Sequence, residues 1–165
     1  MATSIHSFRV PAIDGGVVDF SQFAGKKILL VNVASFCGLT PQYQQLEDLY
    51  KNYSDKIVVV GCPANNFGSQ EPHDDTTIQQ FCTTEFGVTF PLTTKISVKG
   101  DDIHPLYQYV TQSELNGRAD SGVAWNFQKY VFDEEGLLTH FFSPNIEPTD
   151  DAILEALGIQ PTPLD

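Results

Sequence analysis

The stretch KILLVNVAS, residues Lys27–Ser35, is a continuous apolar run rich in residues that favour β-structure. Runs of this kind are typical of a strand that is buried on both faces. The next residues, Phe36–Thr40 (FCGLT), form a turn, and Pro41 suits the first turn of a helix whose apolar residues recur at helical spacing as far as Tyr53. A second buried strand is predicted at Ile57–Gly61 (IVVVG). This strand–helix–strand unit predicts two parallel strands joined by a right-handed crossover.

The flanking segments extend this unit to a complete α/β fold. Gly15 and Gly16 predict the turn of an N-terminal hairpin. The remaining predicted elements are helix Thr77–Phe86 capped by Asp75 or Thr76, strand Phe90–Ile96, helix Ile103–Gln112, strands Gln128–Asp133 and Leu137–Phe142, helix Glu147–Leu157, and a frayed tail at Gly158–Asp165. Their order predicts a thioredoxin-like fold, with a central mixed β-sheet flanked by helices on both faces.

The size and charge of the chain limit what it can do. Its 165 residues fit a single domain, residues 1–165. The net charge of −12 argues against nucleic acid or an anionic membrane surface as a partner. No apolar run approaches the roughly 20 residues of a membrane span, so no integral membrane association is expected. The first ten residues, MATSIHSFRV, lack the apolar core of a signal peptide, and we expect a cytoplasmic protein.

The three cysteines are the candidate reactive groups. An odd number without a signal peptide argues against a structural disulfide framework, and neither CxxC nor HxxxH spacing is present to predict a metal site. Cys37 lies where the first core strand ends and a helix begins, and unpaired N–H groups at a helix start favour the thiolate, which is the nucleophile. A buried, inert thiol at this position is an equally good interpretation from position alone.

Two simple thiol chemistries do not fit the residues around Cys37. A thioredoxin-type dithiol needs a second cysteine three positions later, where this chain has Thr40. A peroxiredoxin-type site would have threonine and proline at the positions occupied here by Ala34 and Leu30.

Three separated motifs closely resemble the glutathione peroxidase family, over nearly the whole chain from about Phe8 to Leu157. They are Asn32–Thr40 (NVASFCGLT), Pro63–Pro72 (PANNFGSQEP) and Trp125–Phe127 (WNF). The resemblance implies a catalytic tetrad of Cys37, Gln70, Trp125 and Asn126, in a thioredoxin-like fold without a metal or organic cofactor. Cys37 is then the peroxidatic cysteine, the one that attacks hydroperoxide substrates. The neutral donors of the other three side chains stabilise the thiolate and the developing oxyanion, leaving Cys37 as a sulfenic acid.

The resemblance also suggests how the oxidised enzyme is reset, because some cysteine-dependent members carry a resolving cysteine in the helix that holds Cys82. We expect Cys82 to form a disulfide with Cys37 after local unwinding of that helix, since a disulfide needs Cα atoms within about 7 Å. Such a disulfide suits thioredoxin as reductant. Glutathione is a poorer partner because it is anionic and the chain has few basic residues.

Other features leave alternatives open. The chain has Ala64 where many relatives have a cysteine and Asn66 where glutamine is common. Cys62 is interpreted as a small packing residue, with a backup resolving role as the alternative. The insertion found in tetrameric relatives is absent before Trp125, which predicts a monomer or weak dimer with an open site that admits lipid hydroperoxides. The alternative functions are a glutathione-dependent peroxidase and a peroxide sensor that passes oxidation to a partner protein.

Overall fold

The computed structural model of the chain describes residues 4–160. The strands are β1 (Arg9–Pro11), β2 (Val17–Asp19), β3 (Lys27–Val33), β4 (Ile57–Pro63), β5 (Lys129–Phe132) and β6 (Leu138–Phe142). The α-helices are α1 (Gln42–Tyr53), α2 (Asp75–Phe86), α3 (Pro105–Thr111), α4 (Ser113–Asn116) and α5 (Asp151–Ala156), and two 3-10 helices cover Ile5–Ser7 and Phe20–Phe23.

A four-stranded mixed sheet in the order β4-β3-β5-β6 forms the centre of the fold. β3 and β4 are parallel and are joined through α1, as the strand–helix–strand prediction required. β5 runs antiparallel to β3, and β6 antiparallel to β5. Because β3 is paired on both sides and every residue from Ile28 to Val33 is buried, its continuous apolar sequence is explained.

Each face of the sheet has its own apolar layer. One layer packs Ile28, Leu30 and neighbouring side chains against α3. The opposite layer packs Leu29, Val31 and their neighbours against α1, α2 and α5, and it contains both Cys37 and Cys82. The predicted mixed sheet with helices on both faces is therefore confirmed.

The segment Phe90–Ile96 differs from the prediction of a strand. It makes only single bridges, from Leu92 to Gly61 of β4 and from Thr93 to Ala12 of the N-terminal hairpin. Its backbone groups are divided between these two partners, and Pro91 has no N–H to give, so a continuous ladder does not form. The segment instead ties the hairpin to the central sheet.

The chain ends also differ from the predictions. The last helix is shorter than predicted because Asp150 caps it, accepting a hydrogen bond from the Ala152 N–H at 2.9 Å. Ile159, predicted to lie in a frayed tail, is 4% exposed and packs in the core. Residues 1–3 and 161–165, which belong to the predicted domain and tail, lie outside the described residues. No helix in the described part of the chain has the length and apolar character needed to cross a membrane.

Candidate active site

Cys37 lies in a hydrogen-bonded turn between β3 and α1. Its N–H donates to Thr40 Oγ1 at 2.9 Å, and that hydroxyl donates in turn to the Ala34 carbonyl at 2.8 Å. The Leu39 N–H donates to Cys37 Sγ at 3.3 Å. The residue is 9% exposed, and its sulfur has this one backbone donor within the described residues. The Leu39 N–H is thus a backbone donor directed at the sulfur.

Gln70 and Asn126 form the polar centre of the site. The Asn126 amide nitrogen donates to Gln70 Oε1 at 2.9 Å, and Asn126 is fully buried. This contact fixes the orientation of the Gln70 side-chain amide. Its oxygen accepts the hydrogen bond from Asn126, and its NH2 group stays available to donate. Among residues 4–160, neither this NH2 group nor the Trp125 indole N–H donates to another protein group. The site therefore presents two neutral donors that are free to bind oxygen atoms.

Trp125 lies beside Gln70 across the backbone of Gly68. A Cβ atom on Gly68 would lie 3.3 Å from Gln70 Nε2 and 3.3 Å from the indole carbon Cη2 of Trp125. Gly68 also has a φ of +63°, so a larger residue is disfavoured here for two reasons. Trp125 is 38% exposed and packs on Phe67 with ring centroids 5.5 Å apart. The loop that carries Gln70 is thus packed directly against Trp125.

Asn32 of β3 connects these loops to the sheet, and sequence reasoning gave it no role. Its amide nitrogen donates to the Trp125 carbonyl at 3.1 Å, its side-chain oxygen accepts from the Gln128 N–H at 3.2 Å, and its carbonyl accepts from the Phe127 N–H at 2.6 Å. These contacts hold Phe127 at a φ of +68°, which is rare for a non-glycine residue. A lone amide within an apolar strand was the sequence signal that could have identified it.

The structure brings Gln70, Trp125 and Asn126 together directly and joins Cys37 to them through the backbone. The Phe36 N–H donates to the Gln70 carbonyl at 3.1 Å, which fixes the residue before Cys37 on the loop of Gln70. Within the described residues, the hydrogen bond to Cys37 Sγ comes from Leu39, and the other three predicted site residues make none to it.

Cys82 and Cys37 are not bonded to each other in this structure. Both are free thiols within one apolar layer, but Cys82 is on α2 and only 1% exposed. Burial raises the pKa of Cys82 to about 11, and the nearby Tyr43 hydroxyl opposes part of this shift. The helical, reduced state therefore holds Cys82 as an unreactive thiol.

Cys62 lies on the opposite face of the sheet. It is fully buried at the end of β4, in the layer that packs against α3, and burial raises its pKa to about 12. It packs as a small apolar residue, as the sequence suggested.

Glu71 is a buried carboxyl group that sequence reasoning missed. It follows Gln70, is 0% exposed, and within residues 4–160 neither of its oxygens has a hydrogen-bond partner. Burial raises its pKa to about 7, and the neighbouring Ser35 and Lys95 offset only part of that shift. No group of three or more residues suited to hold a metal ion is present in the described chain.

We expect Glu71→Gln to remove a pH-dependent loss of stability. The unfolded chain releases the Glu71 proton near the ordinary pKa of 4.5, whereas the folded chain retains it until about pH 7. For this group, the stability of the wild type is therefore highest below pH 4.5 and falls as the pH rises through 7, by roughly 3 kcal/mol in total. Urea unfolding at pH 5 and pH 7.5 measures the difference. Glu85→Gln, at an exposed position of α2, is the control; equal pH dependence in both variants would contradict the assignment.

Sequence comparison relates the chain to known peroxidases. The family model for glutathione peroxidase matches residues 5–111. The chain is 41% identical over 150 residues to the glutathione peroxidase-like peroxiredoxin 2 of Saccharomyces cerevisiae, covering 90% of this chain and 93% of that protein. It is 40% identical over 179 residues to the thioredoxin/glutathione peroxidase BtuE of Escherichia coli, covering 96% and 98%.

Solved structures give the same result for the fold. The crystal structure of Trgpx in its apo form superposes with a TM-score of 0.72 at 38% identity, covering 99% of this chain and 100% of that one. A thioredoxin-family thiol:disulfide interchange protein from Chlorobium tepidum superposes with a TM-score of 0.63 at 17% identity, covering 94% of each chain, which shows the fold alone. The predicted thioredoxin-like fold is thereby confirmed, and the chain belongs to the glutathione peroxidase family.

Proposed function

We propose that this protein is a thiol peroxidase in which Cys37 reduces hydrogen peroxide and organic hydroperoxides, including those of lipids. The observation that carries the proposal is the contact of Asn126 with Gln70 Oε1, which within residues 4–160 leaves the Gln70 NH2 group as an unpaired neutral donor beside the equally unpaired Trp125 N–H. Gln70 lies on the loop to which the Cys37 turn is bonded, and Trp125 packs against that loop. Donors of this kind stabilise negative charge as it develops on a peroxide oxygen.

In the first step, the Cys37 thiolate attacks one oxygen of the hydroperoxide. The S–O bond forms, the O–O bond breaks, and the other oxygen leaves as an alkoxide or hydroxide that takes up a proton to give alcohol or water. Cys37 becomes a sulfenic acid. Gln70, Trp125 and Asn126 are assigned the stabilisation of the leaving oxygen, and the Leu39 N–H stabilises the thiolate before attack.

In the second step, Cys82 resolves the sulfenic acid. Its thiolate attacks Cys37 Sγ, the S–S bond forms, and the hydroxyl leaves as water after taking the proton that Cys82 released. Because Cys82 is 1% exposed within α2, the helix must open around it. Exposure to water also lowers the pKa of Cys82 from about 11 towards its ordinary value, so the same motion activates the thiol.

Thioredoxin is the proposed reductant of the resulting disulfide, with glutathione weaker. The chain has 21 acidic and 9 basic residues, which disfavours an anionic tripeptide. Lys99 Nζ lies 5.8 Å from the centre of the Phe67 ring. The yeast relative is named a peroxiredoxin, while the name of the Escherichia coli relative includes both thioredoxin and glutathione.

The aromatic surface of the site supports bulky substrates. Phe36 is 54% exposed beside Cys37, and Trp125 is 38% exposed. Exposed apolar rings next to the thiol suit hydroperoxides on long apolar chains. We further propose that the activity resides in a single domain, residues 1–165, and that the protein is a monomer or weak dimer. The three free thiols suit the reducing cytoplasm, which is the proposed location.

The test is steady-state peroxide reduction measured by NADPH oxidation, with a complete thioredoxin system or a complete glutathione system. We expect faster turnover with thioredoxin, and one equivalent of peroxide should yield a Cys37–Cys82 linked peptide by mass spectrometry. Faster turnover with glutathione would overturn the assignment of the reductant. Absence of turnover with both systems would overturn the proposed activity.

Gln70→Ala is expected to slow the oxidation of Cys37 by roughly tenfold to a hundredfold, because one donor to the leaving oxygen is lost and Asn126 loses its acceptor. Stopped-flow measurement of a single oxidation by hydrogen peroxide isolates this step. Gln80→Ala, at an exposed position of α2, serves as control and should react as wild type does. An unchanged rate in Gln70→Ala would remove Gln70 from the reaction.

A further inference from the structure

Lys129 is a buried amine to which the proposed reaction gives no role. It lies two positions after the last residue of the WNF motif, is the first residue of β5, and is 0% exposed. Its Nζ donates to Gln42 Oε1 at 2.6 Å and to the Pro144 carbonyl at 2.8 Å. Gln42 completes the triangle by donating from Nε2 to the same carbonyl at 3.1 Å. Among residues 4–160, no carboxylate lies within 4.0 Å of this amine.

The position of Lys129 within the sheet directs it towards Cys37. Lys129 pairs with Val31 of β3, two residues before the end of that strand, and paired residues share a face. Val31 belongs to the apolar layer that contains Cys37. The amine therefore lies on the Cys37 side of the sheet, at the end where β3 leads into the reactive turn.

A continuous set of hydrogen bonds joins Lys129 to the sulfur of Cys37. Lys129 Nζ holds the side chain of Gln42, the first residue of α1. The Gln42 N–H donates to the Leu39 carbonyl at 2.9 Å. The Leu39 N–H in turn donates to Cys37 Sγ at 3.3 Å. A displacement of Gln42 is thus transmitted through a single residue, Leu39, to the backbone donor of the sulfur.

The electrostatics of this position are unusual. A positive charge at a helix N-terminus opposes the helix dipole, and a buried charge without an ionic partner is strongly disfavoured. Burial lowers the pKa of Lys129 to about 7, with Glu147 raising it in part. The residues that pair with it on β3 and β6, Val31 and Phe142, are apolar, and α1 contributes the neutral Gln42. An anion that forms at the same helix end, the Cys37 thiolate, would favour the charged amine.

We propose that Lys129 is a positioning residue for the Cys37 thiolate, holding the turn that supplies its backbone donor and placing a buried positive charge at the same end of α1. The inference rests on the proposed role of Cys37 as the nucleophile. Protonation of Lys129 and ionisation of Cys37 are then coupled, and each favours the other.

The test is the pH dependence of Cys37 alkylation by iodoacetamide in the full-length, reduced protein, which needs no peroxidase activity. Lys129→Met removes the charge and both donor contacts while keeping an unbranched side chain. We expect the pH midpoint of alkylation to rise by about one unit and peroxide reduction at pH 7 to slow roughly tenfold. Lys129→Arg, which restores the charge, should recover at least half of the midpoint shift.

Val131→Ala is the matched control, because Val131 is fully buried on the same strand and the same face. It should lower the melting temperature and leave the alkylation midpoint unchanged. If Lys129→Met does not fold, Gln42→Ala should shift the midpoint in the same direction by a smaller amount. A midpoint unmoved in Lys129→Met or, in its place, Gln42→Ala would overturn the proposal. A midpoint shift in a protein without peroxidase turnover would support this inference while the proposed function failed.

Discussion

Cys37→Ser is expected to reduce peroxide turnover at least about a thousandfold, the largest effect of any single substitution in this chain. A serine hydroxyl is not ionised at neutral pH, so the Leu39 N–H has no thiolate to stabilise and no sulfenic acid can form. The fold should be retained, because the exchange alters one atom at a site that is 9% exposed. Peroxide consumption with thioredoxin measures turnover, and thermal unfolding measures the fold.

Cys62→Ala is the matched control for this prediction. Cys62 is also a buried free thiol, but it lies in the layer on the other face of the sheet. We expect it to keep wild-type turnover with a modest loss of stability from the missing sulfur. If Cys37→Ser instead retained a tenth of the activity, a second thiol would be the nucleophile and the mechanism proposed for Cys37 would be wrong.

The central part of the fold was predictable because local pattern and burial agree there. The apolar run of β3, the helical spacing of α1 and the apolar run of β4 each indicate one element, and the parallel pairing follows from their order. The segment Phe90–Ile96 was mispredicted because its composition favours a strand while its partners are split between β4 and the hairpin. Composition alone does not reveal which backbone groups a segment will meet.

In the candidate site, too, some residues were predictable from the sequence and others were not. The resemblance of short, distinctive motifs predicted the reactive cysteine and the amide side chains, and the structure places the two amide side chains in contact. The supporting residues were not predicted because their hydrogen-bond partners are distant in sequence. Asn32 bonds Trp125, 93 positions away, and Lys129 bonds Gln42, 87 positions away. Glu71 lies within a motif that was recognised, yet only the structure shows that its carboxyl group is fully buried. The surroundings of Asn32, Lys129 and Glu71 depend on long-range contacts and on burial, which the sequence does not show directly.

Cys82→Ser is expected to separate the two halves of the proposed cycle. A single oxidation of Cys37 by hydrogen peroxide should proceed within about twofold of the wild-type rate, because Cys82 has no part in the attack on peroxide. Turnover with thioredoxin should fall roughly a hundredfold, because no disulfide forms for thioredoxin to reduce. Serine differs from cysteine by a single atom, so α2 should remain folded.

The fate of Cys37 in this variant provides the sharper readout. Without a resolving thiol, its sulfenic acid persists and excess peroxide converts it to sulfinic acid, which mass spectrometry detects as two added oxygen atoms. Thr83→Ala, at the adjacent exposed position of α2, is the control and should form the Cys37–Cys82 disulfide normally. Wild-type turnover in Cys82→Ser would mean that the reductant attacks Cys37 directly. In that case Cys82 would be a packing residue, and the raised pKa of its thiol would simply reflect its place in the core.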